Sequence, residues 1–163
     1  MIEVVLGDLA QQNAEAILRP IRADLDPVSA AGREVGRRAG ADVEERLRAG
    51  GHVPVGGAVL TPGGGLPSMF LIHAVVGSVE EPQSQLSVER ALRNGLARAT
   101  DWGVTTLALP VMGLGAGSME PEDAARAFVV VLREHVSGGR PPHELTVVAA
   151  SEYERDLLER LLR

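Results

Sequence analysis

No cysteine occurs among the 163 residues, which excludes disulfides, thiolate catalysis and cysteine-ligated metals. Lysine is missing too: all 16 basic residues are arginine. That removes Schiff-base chemistry and the phosphate-binding lysine of a Walker A loop. No apolar run approaches the roughly 20 residues of a membrane span. The opening Met1-Ile-Glu-Val-Val-Leu6 lacks the basic stretch of a secretory signal, so the expected location is the cytoplasm. A formal net charge of −6 disfavours nucleic acid, where binding depends on clustered cations displacing counterions. His52, His73, His135 and His143 show no metal-ligand spacing, and no cofactor or metal is expected. His73, in the middle of an apolar run, reads as a hydrogen-bonded structural histidine. No Gly-x-Ser-x-Gly elbow is present, and Ser118 has no recognisable base.

What remains is a chain with 45% apolar residues, suited to one globular domain over residues 1–163. Arginine bias with abundant Gly, Ala and Pro fits a GC-rich genome, bacterial and thermophilic. Ile2–Leu6 and Ala16–Leu18 are short apolar runs, the second stopped by Pro20. Val28, Ala31, Val35, Ala39, Val43 and Leu47 follow helical spacing and predict one long helix. Gly57–Thr61 and Met69–Val76 are strand candidates on either side of the turn-forming Pro62-Gly-Gly-Gly-Leu-Pro67. Val88, Leu92, Leu96, Ala99 and Trp102 mark one helical face. Thr105–Leu109 reads as a strand, and Pro121–Val136 as a helix with Pro121 near its first position. Leu145–Ala150 and Glu152–Leu162 add a last strand and helix. This alternation predicts a three-layer α/β/α domain around a mixed, largely parallel sheet.

The chemistry-bearing stretch is Leu107-Ala-Leu-Pro-Val-Met-Gly-Leu-Gly-Ala-Gly-Ser-Met-Glu-Pro-Glu-Asp-Ala-Ala125. It reads as a buried strand, a glycine loop and a helix start. Gly113, Gly115 and Gly117 allow positive φ and close approach of backbone to a ligand. Successive N–H groups there can cradle a phosphate or diphosphate; the alternative is a plain strand-to-helix connection. A Rossmann site is rejected, because Gly113-x-Gly115-x-x-Ser118 lacks the third glycine and sits late in the chain. In α/β sheets ligands bind beyond the carboxyl ends of the strands. Gly7-Asp8-Leu9, Arg19-Pro-Ile-Arg22 and the 111–119 loop should converge there.

Gly32, Gly36 and Gly40 recur every four residues on the long helix. Helical glycine costs up to about 1 kcal/mol against alanine, so an offsetting close contact is expected, with the sheet or with a second subunit of a homodimer. Arg33, Arg37, Arg38, Arg46 and Arg48, interleaved with Glu34, Glu44 and Glu45, read as that helix's solvated face.

Three segments in order resemble the macro domain, the ADP-ribose-binding module, over nearly the whole chain. They are Gly7-Asp8-Leu9, Thr61-Pro-Gly-Gly-Gly-Leu-Pro-Ser-Met-Phe-Leu-Ile-His-Ala-Val75 and Leu109-Pro-Val-Met-Gly-Leu-Gly-Ala-Gly-Ser-Met-Glu-Pro-Glu-Asp-Ala-Ala125. The resemblance implies that Asp8, with Leu9 beside it, accepts a hydrogen bond from an adenine amino group. Asp8-Leu-Ala-Gln11 also has capping-box spacing, and the two readings are compatible. The resemblance further implies that Gly113, Leu114, Gly115, Ala116 and Gly117 surround a diphosphate and distal ribose. Glu120, Glu122 and Asp123 suit a helix N-terminus and should point away from a bound anion.

The departures lie after the second strand. Where the family has Asn-Ala-Ala-Asn, this chain has Arg19-Pro-Ile-Arg22. Arg22 replaces the Asn that positions the distal ribose and its water, and a guanidinium is neither an acceptor nor a base. The family's glycine-rich loop is replaced by Asp26-Pro-Val-Ser-Ala-Ala-Gly32. Arg19 and Arg22 are candidate phosphate ligands through bidentate forks, or Arg22 pairs internally with Asp24 or Asp26. The leading expectation is a non-catalytic module for ADP-ribose or a related adenine nucleotide. Alternatives are a divergent hydrolase of an ADP-ribose derivative, with Asp24 and Asp26 to test, or a decayed pocket on an interaction or dimerisation domain.

Overall fold

The computed structural model describes residues 1–114 and 119–163. Strands are β1 (Ile2–Leu6), β2 (Ala16–Arg22), β3 (Ala58–Pro62), β4 (Phe70–Gly77), β5 (Thr106–Pro110) and β6 (Glu144–Ala149). Helices are α1 (Ala30–Ala39), α2 (Ala41–Ala49), α3 (Gln85–Asp101), α4 (Pro121–Ser137) and α5 (Glu152–Leu162), with a 3-10 turn at Leu9–Gln11. The strands form one sheet in the order β1-β6-β5-β2-β4-β3. All pairs are parallel except β3 against β4. This is the mixed, largely parallel α/β architecture that the alternation of patterns predicted.

Strand alternation sends neighbouring residues to opposite faces of the sheet. Ala16 and Leu18 of β2 and Ile72, Ala74 and Val76 of β4 pack with α3, α4 and Leu158 of α5. Ile17 and Leu71 face the other way, against Val35 and Ala39 of α1 and Val43 of α2. Arg19 and His73 are paired in register on β2 and β4. Two apolar layers thus sandwich a sheet whose carboxyl edge stays open.

Three expectations are corrected. The second strand does not stop at Pro20 but runs on to Arg22, with Pro20 opposite Ala74. Pairing with β5 ends at Ile17, which leaves that flank of β2 open where a residue without an N–H fits. The predicted long helix is two helices, and its first turn begins at Ala30 rather than Val28. Gly40, at φ +101°, separates them in a conformation only glycine adopts readily. Trp102 does not share the buried face of α3: it is 60% exposed, lying 5.6 Å from the ring of Phe70.

Candidate functional site

Beyond the carboxyl ends of β1, β6, β5, β2 and β4 lies a cleft of about 670 Å³. The strand order fixes the sequence of its lining. Gly7, Asp8 and Leu9 follow β1, and Ala149, Ala150 and Glu154 follow β6. Pro110 ends β5 in the middle, and Val111 to Leu114 follow it. Pro20 of β2, Val76 of β4, Gln83 and Val88 form the far end. Val28 to Ala31 and Glu34 of the α1 region make the wall above.

Asp8 is where the expected nucleotide reader should stand, and it also caps. Its Oδ1 accepts from Ala10 N at 2.9 Å, satisfying one free donor of the 3-10 turn. Its Oδ2 lies 3.5 Å from Arg38 Nη2. Leu9 is buried, packed with Ile17 and Val148 while bordering the cleft. Gly113 has φ +97°, and Leu114 lines the cleft beside it. Gly115, Ala116, Gly117 and Ser118 lie outside the described residues. Glu120, Glu122 and Asp123 are not in the lining, and Glu122 pairs outward with Arg126 and Arg160.

The two arginines expected at a phosphate are placed elsewhere. Arg19 is 1% exposed and runs under α1, away from the cleft. Its Nε donates to His73 Nδ1 at 3.1 Å, and its Nη1 to the Gly32 carbonyl at 3.2 Å. Because His73 Nδ1 accepts, the ring proton sits on Nε2, which donates to Thr61 Oγ1 at 2.9 Å. The Thr61 hydroxyl reaches the Pro62 carbonyl at 3.1 Å. A buried cation thus links β3, β4, β2 and α1. Burial depresses the Arg19 pKa, against an opposing pull from Glu44. Burial first, then the charge of Arg19, holds His73 down at about 3, so the ring is neutral. This identifies His73 as a structural histidine.

The same linkage explains one of the helical glycines. A Cβ on Gly36 would sit 2.5 Å from Arg19 Nη1, so glycine is what lets the guanidinium in. Gly32 contributes its carbonyl, and Gly40 is the helix break. The close contact is therefore made within the subunit.

Arg22 turns outward. Its N–H donates to the Asp26 carbonyl at 2.8 Å, and its Nε is 3.7 Å from Asp24 Oδ1. Leu25 closes this turn at φ +75°. Asp24 and Asp26, the residues a hydrolase reading singled out, border a separate crevice of about 70 Å³ with Arg19 and Glu44. Neither lines the cleft.

Sequence reasoning missed Glu34, which it placed on a solvated face. Ala30, Ala31 and Glu34 share a side of α1 by their i, i+3 and i+4 spacing, and all three line the cleft. Hydrogen bonds from Arg37, then Arg38, hold the Glu34 carboxyl down at about 2. Glu154 was missed as well; its Oε1 accepts from Ala150 N at 3.2 Å. Among the described residues, no group of three or more His, Asp or Glu is arranged to hold a metal, and no helix is long and apolar enough to cross a membrane.

Comparison with known proteins agrees with this fold. The chain is 31% identical over 155 residues to an uncharacterised protein of Aeropyrum pernix, covering 93% of this chain and 80% of that one. It is 28% identical over 167 residues to an O-acetyl-ADP-ribose deacetylase of Enterobacter cloacae, covering 99% and 93%. The fold is shared with the macro domain of ganglioside induced differentiation associated protein 2, at 23% identity and a TM-score of 0.85, covering 99% of this chain and 82% of that one. It is shared too with a Trypanosoma brucei macrodomain in complex with ADP, at 16% identity and a TM-score of 0.85, covering 99% and 69%. The Macro domain family model matches residues 29–128, and the chain belongs to the macro domain family.

Proposed function

We propose that the protein is a binding module for ADP-ribose or a related adenine nucleotide, without de-ADP-ribosylation by the family's usual route. The observation that carries this reading is that Asp8 and Gly113–Leu114 line one cleft at the carboxyl edge of the sheet. Asp8 keeps lone pairs beyond its cap and its ion pair, and they suit an exocyclic amino group. The loop from Gly113 would hold the phosphates through backbone N–H groups, with Gly115, Ala116 and Gly117 continuing it.

Among the described residues, the carboxylates lining the cleft each already hold a hydrogen bond or an ion pair. Asp8 caps a turn, Glu34 is held ionised by two arginines, and Glu154 accepts from Ala150 N. A carboxylate held at a pKa of about 2 is a weak general base. Calorimetric titration with ADP-ribose, ADP and AMP tests binding. Saturable heat, lost in Asp8→Ala, is expected; no heat with any of the three would overturn the reading. Incubation with O-acetyl-ADP-ribose, the substrate in the name of the Enterobacter relative, tests turnover. Release of acetate would overturn the binding-only part.

A further inference from the structure

The two edges of the sheet differ. β1 carries the exposed Glu3 in mid-strand, a charge of the kind that keeps an edge from pairing with another chain. β3, at the opposite edge, reads Ala58-Val-Leu-Thr-Pro62 and carries no charge. It stands three strands away from β5, which residues 115–118 follow in the chain.

The hydrogen-bond pattern says which groups of β3 face outward. Gly57 O accepts from Val75 N at 2.9 Å, and Gly63 N donates to Met69 O at 2.8 Å. Val59 lies opposite His73 and Thr61 opposite Leu71, so the odd-numbered residues aim their backbone groups at β4. Ala58 and Leu60 therefore turn N–H and C=O outward, where among the described residues they meet no backbone partner. Pro62 turns out a carbonyl alone.

Each end of this edge is marked by a residue of the α3 region. At one end, a Cβ added to Gly56 would meet the Arg90 Cβ at 3.1 Å, and Arg90 is exposed. At the other, Pro62 lies opposite Phe70, whose ring is 5.6 Å from Trp102. Trp102 is the chain's one tryptophan and is 60% exposed. Gly56 and Pro62 stand at equal spacing on either side of Val59.

We propose that β3 pairs antiparallel with β3 of a second copy of this chain, about a twofold axis at Val59, joining two six-stranded sheets into one. Ala58 then exchanges both of its outward hydrogen bonds with the partner's Leu60, and Leu60 with the partner's Ala58. The cross-strand neighbours are apolar throughout. An axis at Leu60 would instead set the Ala58 carbonyl against a proline ring that has no N–H to give, so Pro62 selects the register. The axis at Val59 also carries the Trp102 end of each copy to the Arg90 end of the other, an isologous contact in which a guanidinium meets an indole face twice.

Sedimentation velocity of the full chain from about 1 to 100 µM tests the proposal, with dimer expected to dominate at the upper end. Ala58→Pro removes an outward N–H, leaves the β4 ladder whole and follows a glycine, and should weaken the dimer at least about tenfold. Trp102→Ala should weaken it by about threefold or more. Glu3→Ala, at the other edge, should leave it unchanged. The Trp102 emission of the wild type should move to the blue as dimer forms. A chain that stays monomeric at about 100 µM overturns the proposal and leaves the edge to a strand of another protein. A dimer indifferent to both Ala58→Pro and Trp102→Ala, or one lost in Glu3→Ala, overturns the assignment to β3. Unshifted emission across the dimerisation overturns the contact with Arg90. Thermal melting checks that Ala58→Pro is folded, and Trp102→Ala, at an exposed position, carries the test if it is not.

Discussion

At the β1 end of the cleft, Asp8 is tied to Arg38, and Arg38 to Glu34, by half-exposed ion pairs that solvent reaches. At the β2–β4 end the surface is aliphatic, and its polar support is hidden one layer down in Arg19, His73 and Thr61. Both ends join strands to the same helix, α1. One does so with charges a ligand can meet, the other with charges a ligand cannot. The contrast teaches that a cleft's chemistry is set less by which residue types follow a strand than by which face of the strand each one takes.

The largest effect is expected where the buried linkage is broken. Gly36→Val places a side chain where Arg19 Nη1 now lies, and should cost roughly 3 kcal/mol of stability by denaturant titration. A loss below about 0.5 kcal/mol would mean that the guanidinium has another seat. Next comes the pH dependence of that same linkage. The folded-state pKa of His73, about 3, lies below the ordinary 6.5, so the unfolded chain binds the extra proton. Its contribution is complete above pH 6.5 and is lost as pH falls from there toward 3, by up to about 1.4 kcal/mol per pH unit. Glu34 acts in the same direction lower down, its contribution being lost from about 4.5 toward 2. Melting of the wild type beside His73→Gln from pH 7 to 5 should show the slope in the former and a flatter curve in the latter; parallel curves would remove His73 from the account.

At the β1 end the effects should be smaller in stability and larger in binding. Asp8→Ala gives up its cap, about 1 kcal/mol, and should weaken ADP and AMP far more than ribose 5-phosphate. Equal losses across the three would reduce Asp8 to a cap. Smallest of all should be Arg22→Ala. Its pair with Asp24 is long and exposed, so stability should move by less than about 0.5 kcal/mol and nucleotide affinity not at all. A clear fall in affinity would bring Arg22 back to the ligand and close the contrast between the two ends.

Much of the fold could be read from periodicity, because β4 apart from His73, and the buried stripe of α3 apart from Ser87, carry apolar patterns. The break at Gly40 could not, since Val35, Ala39, Val43 and Leu47 stay buried on both sides of it. Pro20 looked like a stop because the open flank of β2 is a property of the assembled sheet, not of the local sequence. For the cleft, the places of Asp8 and Gly113 at its lining could be read from motif and strand order. Arg19 was not: it stands next to Pro20, which lines the cleft, yet alternation turns it to the opposite face. A strand drawn through to Arg22 would have grouped Arg19 with Ile17 and Ile21 beneath α1. Glu34 was misplaced because the charge pattern of the helix was read as a solvated face.

Thr61 belongs to β3, the outermost strand on its side, and no ligand in the cleft would come near it. Through the imidazole and the guanidinium it nevertheless holds the backbone on which Val28 to Ala31 are mounted. The rim of the sheet therefore has leverage over where the cleft wall stands. A search for affinity variants confined to residues that touch nucleotide would pass over the place where the wall is anchored.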